Sequence, residues 1–330
     1  MLKRVAIFQI RSVRFRFLIF RMSLSRNRFP HSGDMLSVCA SEGRHIMNAV
    51  LLRFAVACFL LPCLWATVRA QAVSFPELNS PVPGHQDITY LDLAKMVIPD
   101  LAASDDGFYK GSAPIEMRHI IGDDAGGSPP ETINLPNAAV LAIKAGGKDR
   151  LTMLFDLGDS ADSAEGFAVL ALYDVTGKPK LLDAVNVAVD RSTYFRDPDK
   201  VSIAAGDDAI VTMSTHFNSN QGYVGTLLIM ARDDRFELVD AIYTLDENDC
   251  AYRRTQTLAF QASGDGKPYA PIKVTVTDAT VPSDESCAAA PPEASSNDIS
   301  VTYRWDAKAS HYVKDSDAFE KLSAENEKRF

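Results

Sequence analysis

Short apolar runs separated by turn residues recur about every dozen positions from residue 138 onward. Runs of this length, bounded by Gly, Asn and Asp, are typical of antiparallel β-structure rather than of amphipathic helices. The pattern predicts strands over residues 138–144, 151–157, 167–173, 180–189, 201–204, 210–217, 223–231, 236–245, 252–261, 271–277 and 299–305. We therefore expect a mainly β domain at 138–330, an antiparallel meander of about ten short strands with sandwich or barrel-like packing.

The runs differ in how many of their faces are apolar. Residues 272–276 and 299–305 alternate between apolar and polar positions, which predicts strands with one solvated face. Residues 167–173 and 226–231 are apolar at nearly every position, which predicts central strands that are covered on both sides. Turn sequences such as Gly146-Gly147 and Asp233-Asp234 join several runs and predict hairpins.

Two segments of the chain have their apolar and polar parts in the same order. Residues 170–185 and 228–242 each consist of an apolar strand, a polar turn and an apolar strand that ends in Asp-Ala-Val or Asp-Ala-Ile. A duplicated blade would make the fold a small propeller, which is the alternative architecture. A true repeat should show a fixed period and only one interval can be measured, so the pattern favours two similar hairpins over a duplication.

Helical signals are confined to the two ends of the predicted mature chain. Residues 73–137 are interpreted as a linker, a short helix and loops, with one short strand over 115–121. The helix has Asp87 as its predicted cap, follows helical spacing at Tyr90, Leu93, Ala94 and Val97, and ends before Pro99. Near the other end, residues 283–298 have the composition of a flexible loop, and residues 317–329 are a predicted C-terminal helix.

The first 72 residues indicate export. Residues 47–72 combine Arg53, an apolar run over 54–65 and a closing Ala70-Gln71-Ala72, which together are typical of a secretory signal peptide. The apolar run is shorter than the ~20 residues that span a bilayer, so we expect cleavage after Ala72 and no membrane attachment afterwards. Residues 1–46 are basic, and we interpret them as a disordered extension that results from a start codon assigned too early, with Met47 as the true first residue. The predicted location is the periplasm or the exterior.

The charge of the predicted mature part limits the classes of partner, and its cysteines predict a disulfide. Of 34 basic residues 11 precede residue 73, against 2 of 43 acidic residues, so the predicted mature part carries 23 basic and 41 acidic residues, a net charge of −18. Such a field repels phosphate backbones, which excludes nucleic acid and leaves glycans, peptides or a basic envelope protein as possible partners. Only Cys250 and Cys287 survive the predicted cleavage. In an oxidising compartment this pair predicts a disulfide.

The most unusual polar segment is residues 215–223, between two strongly apolar strands. Amide, imidazole and aromatic side chains presented together can hydrogen-bond a sugar or a peptide backbone and stack on it. This predicts a ligand site at His216, Asn218, Asn220, Gln221 and Tyr223. A plain hairpin loop is the alternative, because Asn and Gly also form turns.

Residues 156–165 carry two further candidate functions. Asp156, Asp159, Asp162 and Glu165 recur every three residues and could ligate calcium, although they do not match an EF-hand loop. The block Gly158-Asp159-Ser160 resembles the nucleophile block of the GDSL esterases. That family's base comes from an Asp-x-x-His motif, whereas His311 is preceded by Lys308-Ala309-Ser310, so the resemblance implies no complete catalytic set.

The closing stretch, with Tyr303-Arg304-Trp305 and Phe319-Glu320-Lys321-Leu322, and the hairpin at 174–183 are similar to exported proteins predicted from proteobacterial genomes. This resemblance implies a β fold and an exported location but no activity. We expect a non-catalytic binding or envelope-accessory protein. The alternative is a hydrolase of a cell-envelope polymer or ester, which would need two carboxylates that face each other across a cleft.

Overall fold

The computed structural model describes residues 72–122, 125–264, 268–283 and 287–329. The predicted start at 1–46 and nearly all of the predicted signal peptide lie outside these ranges. Within them, no helix has the length and apolar character needed to cross a membrane.

The described chain is mainly β-structure with two short helices. The helices are α1 (Tyr90–Ala94) and α2 (Ala318–Asn326), and the strands are β1 (Ala102–Ala103), β2 (Tyr109–Gly111), β3 (Arg118–His119), β4 (Ile133–Leu135), β5 (Ala139–Ala145), β6 (Lys148–Asp159), β7 (Gly166–Asp174), β8 (Lys180–Asn186), β9 (Ser192–Ala204), β10 (Asp207–Phe217), β11 (Gln221–Arg232), β12 (Arg235–Asn248), β13 (Tyr252–Ala262), β14 (Ile272–Pro282), β15 (Ser295–Asp306) and β16 (His311–Lys314). The prediction of a mainly β fold is confirmed.

The strands form three sheets. Strands β1, β2 and β4 make a small sheet, β5 to β8 make a second sheet to which β3 adds, and β9 to β16 make an eight-stranded sheet in sequence order. Neighbouring strands are antiparallel except β3, which lies parallel to β8. The eight-stranded sheet has β9 and β16 as its edges and does not close into a barrel. The meander and its stacked sheets are therefore present, without the repeated blades of a propeller.

The five-stranded sheet is covered on both faces, as its nearly continuous apolar strand β7 predicts. One face contacts the N-terminal segment, where Tyr173 is fully buried and its hydroxyl donates to the carbonyl of Leu93 over 3.0 Å. Burial raises the pKa of Tyr173 above its usual value, which keeps the hydroxyl a donor. The other face packs on the eight-stranded sheet through side chains with no exposed surface, among them Leu141, Leu170, Leu172, Ile210, Leu227 and Ile229.

The eight-stranded sheet folds over on itself. Strands β12 and β13 pair at only two positions, Glu247 with Arg254 and Asn248 with Arg253, so the two halves of the sheet separate beyond that point. Their facing sides share a third core with α2, whose members include Val211, Leu228, Met230, Val274, Val276, Tyr303, Phe319 and Leu322. Leu227 and Leu228 thus serve different cores, which confirms that residues 226–231 form a doubly covered strand.

Residues 73–137 differ from the linker and loops that the sequence predicts. Leu78, Leu93, Ile98 and Leu135 are at most 1 % exposed and cover the outer face of the five-stranded sheet. The segment is irregular because its apolar residues follow no strand or helix period, yet it is part of the core.

The short helix α1 is also bounded differently from the prediction. Its N-cap is Thr89 rather than Asp87, because the Thr89 side chain accepts from the backbone of Asp92 while the Asp92 carboxylate accepts from that of Thr89. This reciprocal capping box stabilises the first turn. The helix ends at Ala94, and the predicted strand at 115–121 is reduced to β3.

Strand β15 begins within the predicted flexible loop. Its first residues, Ser295 to Asp298, pair with β14, so the loop that follows Pro282 ends four residues before the predicted boundary. The predicted disulfide is confirmed: the sulfur atoms of Cys250 and Cys287 lie 2.06 Å apart. It joins this loop to the turn between β12 and β13.

Helix α2 is held across the opening between β12 and β13 by a pair of amides. Asn326 is fully buried, its Nδ2 donates to Oε1 of Gln256 over 2.8 Å, and its Oδ1 accepts from Nε2 of Gln256 over 3.1 Å. Each amide therefore satisfies the other in a place that water does not reach. Phe319 and Leu322 add the apolar contacts that the sequence predicts for this helix.

Candidate functional site

The segment singled out by its polar composition is the tip of the β10–β11 hairpin. The register pairs Phe217 with Gly222 and His216 with Tyr223. Because side chains alternate along a strand, these two pairs lie on opposite faces of the hairpin. The five predicted ligand-binding residues are therefore divided between two sides and the tip.

The turn itself is fixed by its own amides. The Asn218 side-chain oxygen accepts from the backbone nitrogens of Asn220 and Gln221 over 3.1 and 2.8 Å, and Asn218 Nδ2 donates to the side chain of Gln221. Nε2 of Gln221 donates to the carbonyl of Arg329 over 2.8 Å. Asn218 and Gln221 thus shape the loop and dock it against the C-terminal segment, while the side-chain amide group of Asn220 is exposed.

On the Phe217 side lies a groove of about 410 Å³, lined by Phe217, Asn218, Asn220, Gln221, Asn248 and Arg253, among others. The Phe217 side chain is 67 % exposed. One edge of its ring lies against Gly222, where a β-carbon would come within 2.7 Å of a ring atom. The glycine therefore permits the ring to approach the hairpin backbone.

The groove floor is held by β12. The backbone nitrogen of Asn248 donates to the carbonyl of Asn220 over 2.7 Å, which fixes the hairpin tip to the next strand. Two carboxylates also line the groove: Asp246 accepts from the backbone nitrogen of Gln256 over 2.9 Å, and Glu247 is bound by the guanidinium of Arg329. Both carboxylates thus have structural partners. The hydrolase alternative, which needs two facing carboxylates, stays a prediction.

On the opposite face, His216 and Tyr223 line a smaller depression of about 310 Å³ with Glu165, Asp190 and Glu327. Nδ1 of His216 lies 3.7 Å from Oδ1 of Asp190. Burial raises the pKa of the Asp190 carboxyl, and the nearby His216 lowers that pKa by a smaller amount. The Tyr223 ring stacks on Tyr243 at 5.9 Å between centroids, and burial raises the pKa of Tyr243 to about 12.

The four predicted calcium ligands have different surroundings, and one of them, Asp159, is exposed at the end of β6. Asp156 accepts from the backbone nitrogens of Gly158 and Thr193, Asp162 from Ser128, and Glu165 lines the depression beside His216. In the ranges that the structure describes, no three His, Cys, Asp or Glu side chains come close enough together to hold a metal ion. Calcium binding by Asp156, Asp159, Asp162 and Glu165 stays a prediction.

The Ser160 hydroxyl is a structural donor and acceptor. It donates to the carbonyl of Ser128 over 2.8 Å and lies 3.1 Å from Oδ1 of Asp162. Among the described residues, no histidine is bonded to it, and His311 contacts the carbonyl of Ala309 instead. The resemblance to an esterase nucleophile is thus confined to the local sequence.

The chain was compared with models of protein families, with curated proteins and with solved structures, and none of the three comparisons finds a significant match. Function is therefore argued from the site alone.

The groove contains three of the five predicted residues, Asn218, Asn220 and Gln221, and adds Phe217, which the sequence analysis does not include. Phe217 lies between His216 and Asn218, and the alternation of the strand could have placed it opposite His216. Asn248 and Arg253, which complete the groove, are the last residue of β12 and the second residue of β13. No spacing signal joins these residues to the hairpin, because the contact depends on sheet order.

Proposed function

We propose that this chain is an exported, non-catalytic binding protein whose β10–β11 hairpin binds a neutral, N-acetylated glycan of the cell envelope. The observation that carries the proposal is the Phe217 ring, which is exposed and has one edge against Gly222, beside the amide side chains of the hairpin tip. A flat aromatic ring offers an apolar surface for the C–H face of a sugar ring, in the way that aromatic groups bind one apolar face of an amphipathic partner.

The polar groups around the ring suit acetamido sugars. Asn220 and Asn248 each supply a carboxamide, which can both donate to and accept from the amide and hydroxyl groups of such a ligand. The predicted mature part has a net charge of −18, which disfavours anionic polymers. A neutral glycan is thus preferred over an anionic one.

Export is supported by the contacts of the residues that follow Ala72 and by the disulfide. The backbone nitrogen of Val73 donates to Oδ2 of Asp199 over 3.0 Å, and Ser74 exchanges backbone hydrogen bonds with Val140. After cleavage following Ala72, the same nitrogen would be a charged ammonium next to that carboxylate. The Cys250–Cys287 disulfide also fits an oxidising compartment.

Binding is tested with chitotetraose, the tetramer of N-acetylglucosamine, by calorimetric titration of the disulfide-bonded protein. We expect Phe217→Ala to weaken binding at least about tenfold, as truncation of a central aromatic contact does. Gly222→Ala should weaken it as well, because the added methyl group displaces the ring.

The matched control is Phe75→Ala. Phe75 is 65 % exposed, almost the same as Phe217, but does not line the groove. Equal affinities of the wild type and Phe217→Ala, or an equal loss in Phe75→Ala, would count against the proposal. Binding of a peptide in place of the glycan would reassign the ligand.

Processing is tested separately by N-terminal sequencing of the protein recovered from the periplasm or medium of an expressing bacterium. We expect the sequence to begin Val73-Ser74-Phe75. A product that retains residues 1–46, or that is found only in the cytosol, would contradict export.

A further inference from the structure

A second concave site lies at the end of the five-stranded sheet, away from the residues of the hairpin groove. It is a cavity of about 600 Å³, larger than the groove, where the edge strand β3 pairs with β8. Its lining includes Glu116, Met117, His119, Gly126, Asp162, Phe167 and Asn186. None of the sequence predictions brings these residues together.

Asn186 supplies the observation that points to a ligand. The residue is 3 % exposed, and its Oδ1 accepts from the backbone nitrogens of Ala168 and Ala188 over 3.2 and 3.0 Å. Backbone nitrogens can only donate, so the amide orientation is fixed with Nδ2 on the other side. In the described part of the chain, Nδ2 has no hydrogen-bond acceptor. Nδ2 is not among the side-chain atoms closed off from solvent, and Asn186 lines the cavity, so Nδ2 is a donor that an acceptor inside the cavity can reach.

Gly126 keeps the space in front of this donor open. A β-carbon at position 126 would lie 3.1 Å from Nδ2 of Asn186 and 2.7 Å from a ring carbon of His119. The residue also has φ of +81°, a conformation that favours glycine. The part of the cavity wall that faces Nδ2 of Asn186 therefore carries no side chain.

His119 does not compete for the role of acceptor. Its Nε2 lies 2.8 Å from the carbonyl of Ala188, and its Nδ1 accepts from the backbone nitrogen of Ile121 over 3.3 Å. This pattern requires the neutral tautomer with hydrogen on Nε2. Both ring nitrogens are used, so the ring presents a carbon edge to the cavity.

The rim of the cavity is acidic. Glu116 and Asp162 are both exposed, whereas the neighbouring Arg118 is occupied by a two-point contact with Asp183 at 2.9 and 3.0 Å. Hydrogen bonds from the Ser128 side chain and backbone lower the pKa of Asp162 and keep it ionised. Met117 and Phe167 form the apolar part of the cavity wall. The cavity thus combines one amide donor on its wall with negative charge at its mouth.

We propose that this cavity binds the free amino terminus of a short peptide. A peptide carbonyl accepts from Nδ2 of Asn186, and the terminal ammonium lies between the carboxylates of Glu116 and Asp162. The proposal is independent of glycan binding at the hairpin, since it rests on other residues and another ligand.

The test is a titration of the ¹⁵N-labelled, disulfide-bonded protein with L-alanyl-L-alanine amide, followed by NMR. We expect the side-chain NH₂ signals of Asn186 to shift on saturation at millimolar peptide. The N-acetylated peptide amide keeps the carbonyl but lacks the ammonium, so it should bind about tenfold more weakly, the effect of one charge-assisted hydrogen bond.

Variants separate the two contacts. Glu116→Gln should weaken the free peptide several-fold without changing the affinity for the acetylated one, whereas Glu131→Gln, at another exposed glutamate outside the cavity lining, should change neither. Asn186→Asp keeps the acceptor for Ala168 and Ala188 but removes the donor, and its melting temperature reports whether it folds.

Asn186 signals that do not move at saturating peptide would overturn the proposal, whatever the variants do. Equal affinity for free and acetylated peptides would also overturn it, as would chitotetraose shifting the same signals. Loss of glycan binding alone would leave it intact.

Discussion

Replacing Cys250 and Cys287 together with serine is expected to lower the free energy of unfolding by about 4 kcal/mol, the loop-closure value for a separation of 37 residues. The bond links the turn between β12 and β13 to the long loop before β15. It therefore restrains the unfolded chain over that whole span, at a place where few strand hydrogen bonds join the two halves of the eight-stranded sheet.

The measurement is urea unfolding of the double variant and of the wild type, each with and without reductant. Reduced wild type and the double variant should unfold alike, and both should be less stable than the oxidised wild type. If the oxidised wild type and the double variant had the same midpoint and slope, the disulfide would contribute nothing and the cysteines would be unpaired in solution.

Leu93→Ala is expected to cost about 3 kcal/mol, in the range for truncating a fully buried leucine. Leu93 lies in α1 and is part of the core between residues 73–137 and the five-stranded sheet. A loss of this size would show that the N-terminal segment unfolds together with the β domain.

Lys95→Ala is the control, because Lys95 follows α1 directly but is exposed. Its effect should stay within about 0.5 kcal/mol. If the free energy of unfolding of Leu93→Ala were also within about 0.5 kcal/mol of the wild-type value, residues 73–137 would be the loosely attached linker that their sequence suggests.

Most strands from β5 onward could be predicted because their side chains report both period and burial. Asp233 and Asp234, with φ of 51° and 61°, form the tight hairpin turn that their sequence predicts. The strand over 271–277 was recognised from alternation, and Ile272, Val274 and Val276 are fully buried. In each case the local pattern and the tertiary environment agree.

Strand β9 shows why other parts could not be predicted. Pro198 and the charged residues around it hide a strand that runs from Ser192 to Ala204, of which only 201–204 was expected. The strand lies at a sheet edge, and the register shifts where Pro198 falls. Proline is tolerated at such positions, so the tertiary context outweighs the local signal.

The candidate sites were harder to predict than the strands. His216 to Tyr223 could be found because the residues are contiguous, although strand alternation divides them between two faces. The cavity around Asn186 could not, since Glu116, Gly126, Asp162 and Asn186 come from separate segments that only the sheet order brings together.

Binding of a neutral glycan at the hairpin is the central functional claim, and an NMR titration of the wild type with chitotetraose tests it most directly. We expect saturable shifts at Phe217, Asn220 and Asn248, with the Asn186 signals unchanged. Absence of any shift at saturating chitotetraose, or shifts confined to residues outside the groove, would contradict it.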